Sequence, residues 1–509
     1  MSPAARTLGG LGLTGLPVAG EADPATPVTG IAVDSREVRE GFVFVAVPGT
    51  RRDGAEFAQY AIRMGAVAVV ATEAGLGVIR RTVPGLSVPV FLAAEPRAEL
   101  ARLAAAWHGA QPGVMAAVTG TNGKTSVAQF LRQIWAAAGR RAAALGTLGV
   151  TGEGVEAPLA HTTPDPLGLH AALARLAEQG CTHAAMEASS HGLDQHRVDG
   201  VRLAAAALTN ITRDHMDYHP THEAYVAAKL WLFRGVLPRG GTAVLNAGDP
   251  VFAEAAEAAR ARDQRVIAVG RGAEADLRIA DQRFTATGQH VVYHWAGEAH
   301  DTFLALVGDF QAENVGVAAG LALATGVPAE TVFAALPGLA GVRGRMERVA
   351  TRANGAAVYV DYAHTPDALE TALAALRPHC RGRLAVVFGA GGDRDPGKRP
   401  LMGAAAAKRA EVVIVTDDNP RSEDPGAIRR AVMQGCPEAT EIAGREAAIL
   451  AGVDALEGPG DVLLIAGKGH EQGQVIGEET RPFDDASQAR ASVAALDGVN
   501  AALGGGHDG

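Results

Sequence analysis

Residues 118–126 read Val-Thr-Gly-Thr-Asn-Gly-Lys-Thr-Ser, after the apolar run Gly113–Ala117 and before the amphipathic stretch Val127–Ala138. This is the pattern of a strand, a glycine loop and a helix, and it commits the chain to α/β layering. A chain of phosphates is met by backbone N–H groups at such a helix start, so Gly120 and Gly123 are expected in dihedrals that other residues avoid. Thr121 and Asn122 complete the loop, Lys124 supplies a cation, and Thr125 or Ser126 supplies a hydroxyl for Mg²⁺. The spacing departs from G-x-x-x-x-G-K-[ST], because the position five before Gly123 is Val118 and the first glycine stands three before it. The loop is a shortened variant. A glycine turn that happens to end in Lys-Thr would need neither the strand before it nor the helix after it.

A chain of 509 residues can hold roughly two to four domains, and 48% hydrophobic content with few aromatics suits alternating strands and Ala-rich helices. A formal net charge of −10 argues against a general nucleic-acid or membrane-surface binder, so an anionic ligand must be met by a local site. Cys181, Cys380 and Cys436 are far apart and lack C-x-x-C spacing, which indicates neither a disulfide framework nor a zinc site. Without an apolar run of about 18 residues or a signal-peptide pattern, the expectation is a soluble cytoplasmic protein with no membrane insertion.

Three units are expected, over residues 1–94, 95–343 and 344–509. The first is a small α/β unit with β-like runs at Ile31–Arg36 and Phe42–Val47 and a polar turn at Gly49–Gly54. From the glycine loop to about Val342, apolar strands (Leu203–Leu208, Thr242–Leu245) alternate with helical segments (Leu167–Glu178, His222–Phe233, Ala312–Ala324). That alternation predicts a parallel sheet with crossover helices. The third unit carries strands at Ala357–Val360, Leu384–Phe388, Val412–Val415 and Val462–Ile465, each ending in polar or glycine residues, as where ligand loops leave a doubly wound sheet. The tail from Leu503 reads as disordered.

Several strand ends concentrate reactive side chains. Glu187 follows Ala184-Ala185-Met186 and places a carboxylate where a nucleotide-bound Mg²⁺ needs oxygen, although alone it reads as a solvated turn residue. Thr209–His219 packs Asn210, Asp214, His215, Asp217 and His219 into one loop, in which His215 could serve a second metal. Lys229 lies on a mostly apolar helical face, four residues after Tyr225, and reads first as a snorkelling lysine. Asp361–Pro366, Gly389–Pro400 and Asp417–Arg421 end three strands of the third unit. The glycines, two arginines and lysine of the second suit a negatively charged group, although an ordinary Gly/Pro loop with solvated charges reads the same way, and the carboxylate, amide and guanidinium of the third could read an amino acid with both an ammonium and a carboxylate.

In their order along nearly the whole chain, these segments resemble the Mur ligases of peptidoglycan synthesis, within the wider group that includes folylpolyglutamate synthetases. The resemblance is carried by Asp34-Ser35-Arg36, the loop Gly120–Ser126, Glu187-Ala-Ser-Ser-His-Gly-Leu, Asn210–His219, Lys229, Gly344-Arg345-Met-Glu347, Asp361-Tyr-Ala-His364 and Gly467-Lys-Gly-His-Glu471. It implies a small N-terminal α/β domain, a central ATPase domain and a C-terminal Rossmann-like domain. It further implies that ATP phosphorylates the D-glutamyl carboxylate of UDP-MurNAc-L-Ala-D-Glu and that an amine attacks the acyl phosphate, with ATP and Mg²⁺ as cofactors. Lys124 would hold phosphate, Thr125 and Glu187 one Mg²⁺, and His215 with a carbamylated Lys229 (N6-carboxylysine) a second. Asn314, Arg345, Asp361 and His364 match positions facing ATP. Val33, Ser35, Thr50, Arg51, Arg52, His161, Thr162, Thr163, Ser189, Gln195 and Arg197 match nucleotide-sugar contacts, His161 standing where many relatives have Asn. Arg394, Asp418, Asn419, Pro420, Arg421, Gly467 and Glu471 match an amino-acid site, and Asp418-Asn-Pro-Arg421 looks like the signature of members that add meso-diaminopimelate.

On that reading the partners are small molecules, with no nucleic acid, and the chain is a monomer whose domains close to gather one reaction centre. Of the two arginines Arg394 and Arg421, one is expected to find a partner only in a distal carboxylate, which lysine and ornithine lack, and a buried arginine left unpaired would penalise those donors. Lysine or ornithine as the amine donor, folylpolyglutamate synthesis and a non-catalytic nucleotide-sugar sensor are the alternatives. The unit before the glycine loop disfavours folylpolyglutamate synthesis, and retention of Lys124, Glu187, His215 and Lys229 together disfavours the sensor.

Overall fold

The computed structural model describes residues 6–49 and 52–504, with side chains in the last helix described through residue 498. Thr50, Arg51 and the tail residues 505–509 therefore lie outside the described residues. Two compact units divide the chain: one runs to Ala268 and includes Gly320–Val327, and the other comprises Val269–Ala319 and the chain from Pro328.

The first unit opens on a five-stranded sheet in the order Val18–Ala19, Val90–Leu92, Ala68–Ala71, Phe42–Val45, Gly30–Ala32. All neighbours are parallel except the Val18–Ala19 edge strand. Alternation sorts its two faces: Val43, Val45, Val70 and Phe91 pack on one side, and Phe44, Val69 and Val90 on the other. The expected strand Ile31–Arg36 ends at Ala32. Asp34 accepts a hydrogen bond from the backbone N–H of Arg36 at 2.9 Å and caps a tight turn over Ser35–Glu37, a local bond that competes with the ladder.

The same unit holds a second sheet, whose order runs Gly149–Gly152, Ala142–Gly146, His183–Glu187, Val114–Thr119, Ala205–Leu208, Thr242–Asn246. All but the Gly149–Gly152 strand are parallel, and their alanine-rich runs, buried at every position but Val114, are what a sheet covered on both faces requires. The helix after the glycine loop spans Lys124–Ala137 and begins earlier than its apolar pattern suggests, because Gly123, at φ +84°, starts it.

The second unit corrects the expectation that parallel alternation continues to Val342. Leu277–Thr285, Gly288–Trp295 and Glu298–Leu304 form an antiparallel meander. Trp295 pairs with Glu298 across a two-residue turn in which Ala296 and Gly297 both take positive φ, the geometry that matches strand twist. His379 secures this meander: its Nδ1–H donates to the carbonyl of Thr285 at 2.6 Å and its Nε2 accepts from the N–H of Gly308 at 3.0 Å.

The main sheet of the second unit has the order Glu347–Thr351, Ala357–Asp361, Val462–Ala466, Leu384–Phe388, Val412–Val415, Thr440–Glu441, parallel except at its first strand. The strands at Ala357, Leu384 and Val412 lie where their apolar runs predicted, and a hairpin, Gly473–Ile476 with Glu479–Pro482, follows the Val462 strand. The three cysteines are free and buried. Among the described residues no helix is long and apolar enough to cross a membrane.

Arg445 and Asp485 form an ion pair at 2.6 Å with neither side chain exposed to solvent. Arg445 also donates to the carbonyl of Ala466 at 2.9 Å, so the pair ties two helices to a strand end. Removing one partner strands the other charge in the interior. We expect Asp485→Ala to lower unfolding stability by about 3–5 kcal/mol; an unchanged unfolding transition in calorimetry would contradict this packing.

Candidate active site

Val114–Thr119 lies between His183–Glu187 and Ala205–Leu208, so three parallel strands deliver the glycine loop, Glu187 and the Thr209–His219 loop to one sheet edge. Gly120 has φ +147°, and a Cβ there would overlap the Thr209 hydroxyl. The loop is pinned from that neighbouring strand end. The N–H of Thr121 donates to the Asn210 carbonyl at 2.7 Å, the N–H of Asn122 to Asn210 Oδ1 at 3.0 Å, and the Thr209 hydroxyl to the Asn122 carbonyl at 2.6 Å. Asp249 holds the next residue, accepting from the N–H of Ile211 at 2.7 Å. Lys124 folds back on its own loop, donating to the carbonyls of Gly120 and Thr121, each at 2.8 Å.

Lys229 is not a snorkelling lysine. It is 1% exposed, and its Nζ donates to the carbonyl of Gly120 at 2.7 Å. The ammonium position lies 4.6 Å from the centre of the Tyr225 ring, and the Tyr225 hydroxyl lies 2.9 Å from that of Thr121. Burial, reinforced by the Lys124 cation, pushes Lys229 well below the ordinary lysine range. Helix His222–Trp231 thus inserts an amine under the glycine loop. Tyr225 was visible in the sequence only as a residue one turn before Lys229; its place is set by that spacing.

Glu187 is not a solvated turn residue either, being 2% exposed. Its carboxylate accepts from the Thr125 hydroxyl at 3.0 Å, the Thr147 N–H at 2.8 Å and the Thr147 hydroxyl at 3.2 Å. Among the described residues no ion pair neutralises it. A buried carboxylate beside a loop hydroxyl is a hard oxygen donor set suited to Mg²⁺. Thr147 was missed in the sequence, where nothing marks a threonine after an apolar strand.

Around Glu187 the structure gathers five of the sequence-predicted residues. Thr162 Oγ1 lies 3.1 Å from Thr147 Oγ1. Thr163 Oγ1 donates to the Glu187 carbonyl at 2.9 Å and accepts from the N–H of Ser189 at 3.0 Å. Arg197 donates to the Thr163 carbonyl at 2.6 Å and to Gln195 Oε1 at 2.7 Å. Gln195 donates onward to the Tyr218 hydroxyl at 3.0 Å, which donates to Asp194 at 2.7 Å. His161 is exposed beside this set. Val33 and Ser35 flank the Asp34 turn, Val33 exposed and Ser35 buried, and the Arg52 guanidinium lies 6.0 Å from the Phe57 ring. His215 has φ +54°, stands half exposed, and packs edge-on against His191 at 4.8 Å.

In the second unit, Asp361 accepts from the N–H groups of Met346 and Ala363 at 2.7 and 2.8 Å, and the Arg345 guanidinium lies 4.7 Å over the Tyr362 ring. His364 Nδ1 lies 2.8 Å from the Tyr362 carbonyl, and buried Asn314 donates to Gln311 at 3.4 Å. Gly467, at φ +118°, donates its N–H to the Asp361 carbonyl at 3.1 Å. Buried Asp418 turns its Oδ1 to the N–H of Asn419 at 2.6 Å, and Asn419 Nδ2 donates to Glu471 at 3.0 Å. Pro420 is buried, and Arg421 follows it at φ +52°. The hairpin clasps Arg421 through N–H to Val475 carbonyl at 3.1 Å and Gly477 N–H to Arg421 carbonyl at 2.7 Å. The two arginines differ in how enclosed they are. Arg394 is exposed, and partly buried Arg421 already donates to the Gly392 carbonyl at 2.6 Å.

Three family models match the chain: "Mur ligase family, catalytic domain" over residues 27–106, "Mur ligase middle domain" over 118–322 and "Mur ligase, glutamate ligase domain" over 344–469. A Bradyrhizobium diazoefficiens protein named UDP-N-acetylmuramoyl-L-alanyl-D-glutamate–2,6-diaminopimelate ligase is 51% identical over 473 residues, 92% of this chain and 96% of that one. Its namesake from Caulobacter vibrioides is 50% identical over 480 residues, 93% and 96% of the two chains. A solved structure bearing the same enzyme name superposes with a TM-score of 0.72 at 33% identity, covering 97% of this chain and 99% of that one.

The glycine loop gives the most direct test of the site. Gly120→Ala must move Thr209 or the loop, and it also strains a backbone that only glycine adopts readily. Binding of a fluorescent ATP analogue should weaken by about tenfold or more, a loss of roughly 1.4 kcal/mol; unchanged affinity in the folded variant would show that the loop does not hold phosphate.

Proposed function

The chain belongs to the Mur ligase family, and from that premise we propose that it joins 2,6-diaminopimelate to UDP-MurNAc-L-Ala-D-Glu with hydrolysis of ATP to ADP and phosphate. The choice of amine donor rests on one observation: Arg421, Asn419 and Glu471 lie in one hydrogen-bonded loop and hairpin cluster. A guanidinium and a carboxylate carried by one such cluster suit an amino acid that carries an ammonium and a carboxylate at each end.

In the reaction, the D-glutamyl carboxylate attacks the γ-phosphorus of ATP and ADP leaves, giving an acyl phosphate. The amine of the donor then attacks the acyl carbon and loses a proton, and the adduct collapses with departure of phosphate. Because two anions meet in the first step, charge neutralisation dominates the barrier. Lys124 turns from its own loop carbonyls toward the β- and γ-phosphates, which the N–H groups of Gly123–Ser126 at the helix start also meet. Thr125 and Glu187 would hold one Mg²⁺, and His215 with a carbamylated Lys229 would hold a second. When bound, Mg²⁺ neutralises charge on the phosphates and orients them in line. Carbamylation requires a neutral amine, which is the form that burial favours at Lys229.

Asn314, Arg345, Asp361 and His364 serve ATP. Val33, Ser35, Thr50, Arg51, Arg52, His161, Thr162, Thr163, Ser189, Gln195 and Arg197 serve the nucleotide-sugar substrate, and Arg394, Asp418, Asn419, Pro420, Arg421, Gly467 and Glu471 serve diaminopimelate. The division into residues 1–94, 95–343 and 344–509 follows these three tasks, in a monomer working in the cytoplasm.

One assay tests the proposal: full-length protein is incubated with UDP-MurNAc-L-Ala-D-Glu, ATP, Mg²⁺ and one amine donor, and phosphate release and product mass are followed. Diaminopimelate should support turnover, and lysine and ornithine should not; equal use of lysine would refute the role given to Arg421. Lys124→Ala should fold normally and lose turnover by at least about 10³-fold, since it removes charge met only in the transition state. Arg421→Ala should raise the Michaelis constant for diaminopimelate by about tenfold or more while leaving that for ATP within about twofold, the pattern of a lost binding contact.

A further inference from the structure

Lys468 has no side-chain exposure at all, yet its ammonium does not belong to the nucleotide loop or to any helix end. Its Nζ donates to Asn419 Oδ1 at 3.0 Å and to Glu471 Oε2 at 3.2 Å. Asn419 Oδ1 also accepts from the N–H of Val475 at 3.0 Å. Two donors on that oxygen fix which way the amide faces, and Nδ2 is left to donate to Glu471 Oε2 at 3.0 Å. One carboxylate oxygen of Glu471 therefore receives both the lysine and the amide. Among the described residues no hydrogen bond reaches the other oxygen, on a side chain that is 34% exposed.

The backbone around Lys468 leaves it little latitude. Gly469, at φ +54°, lies against the Gly344 carbonyl and Tyr362, and a Cβ on Gly344 would overlap the backbone at Gly469 and His470. The Glu471 N–H closes the turn onto the Lys468 carbonyl at 3.0 Å. An apolar side chain would fill this space at lower desolvation cost, so a retained ammonium calls for a role beyond packing.

We propose that Lys468 is a positioning residue for the amine donor: it locks Asn419 and Glu471 into one unit that presents a free carboxylate oxygen and a free amide hydrogen to the ammonium and carboxylate of the incoming amino acid. This rests on reading the cluster as the amino-acid site. Lys468 itself touches no substrate. Its charge sets the orientation of two groups that do.

The test varies each substrate in steady-state phosphate-release assays of the full-length enzyme. Lys468→Met keeps the apolar stem and removes the ammonium. The Michaelis constant for diaminopimelate should rise about tenfold or more, with those for ATP and the nucleotide-sugar within about twofold. Glu471→Gln should raise the same constant, and adding Lys468→Met to it should raise it little further, because the two act through one network. Lys468→Arg, which keeps a charge, should recover part of the loss. A folded Lys468→Met enzyme with an unchanged constant for diaminopimelate, or with equal rises for all three substrates, would overturn the proposal. Should Lys468→Met not fold, Val475→Pro on the hairpin removes the N–H that fixes Asn419 Oδ1 and carries the same expectation, and an unchanged diaminopimelate constant there would overturn it too. Wild-type enzyme inactive with diaminopimelate would instead remove the earlier assignment of the donor.

Discussion

The hydrogen bond from Lys229 to the carbonyl of Gly120 is the contact on which the first unit's chemistry turns. A lysine amine enclosed under a glycine loop costs free energy unless it loses its charge or finds an anion. Here its acceptor is a neutral carbonyl, and the neighbouring Lys124 cation makes the charged form costlier still. Only a residue without Cβ permits the backbone at position 120 to turn its carbonyl inward while Thr209 closes over it. Glycine, threonine and lysine from three separate elements thus depend on one another. That dependence is economical if the amine is meant to become a carbamate, which would supply metal with the anionic oxygen that lysine itself lacks.

Glu187 shows the complementary arrangement. Its carboxylate is enclosed with hydroxyl and N–H donors and, among the described residues, without a basic partner. A structural ion pair would have been satisfied once and for all; hydrogen-bond donors can be exchanged for a cation. The second unit follows a different rule in its strand-end loops. There Arg445–Asp485 and Lys468–Glu471 settle charge by direct pairing, and the paired groups position the loop that carries Asp418–Arg421.

Much of this was legible in the sequence because it depends on short-range patterns. The apolar runs that end in Thr119, Glu187 and Leu208 are too short and too β-like to be helices, and the polar loops that follow them mark the ligand edge of a parallel sheet. The meander over Leu277–Leu304 was not read, since its Ala296-Gly297 turn lacks the usual Asn-Gly or Asp-Gly signal and its outward residues look like a polar linker. The burial of Lys229 was hidden for a different reason. A helical face reports that a residue is near apolar neighbours, but not which loop lies above it. Thr147 and Lys468 depend on contacts with residues 40 and 49 positions away, which no local pattern encodes.

The claim that Lys229 is built to be carboxylated can be tested without reference to turnover. Full-length protein equilibrated with carbon-13 bicarbonate and Mg²⁺ should show a carbamate carbon resonance that is absent from Lys229→Met. An active wild-type enzyme with no such resonance, or one that persists in Lys229→Met, would contradict the account.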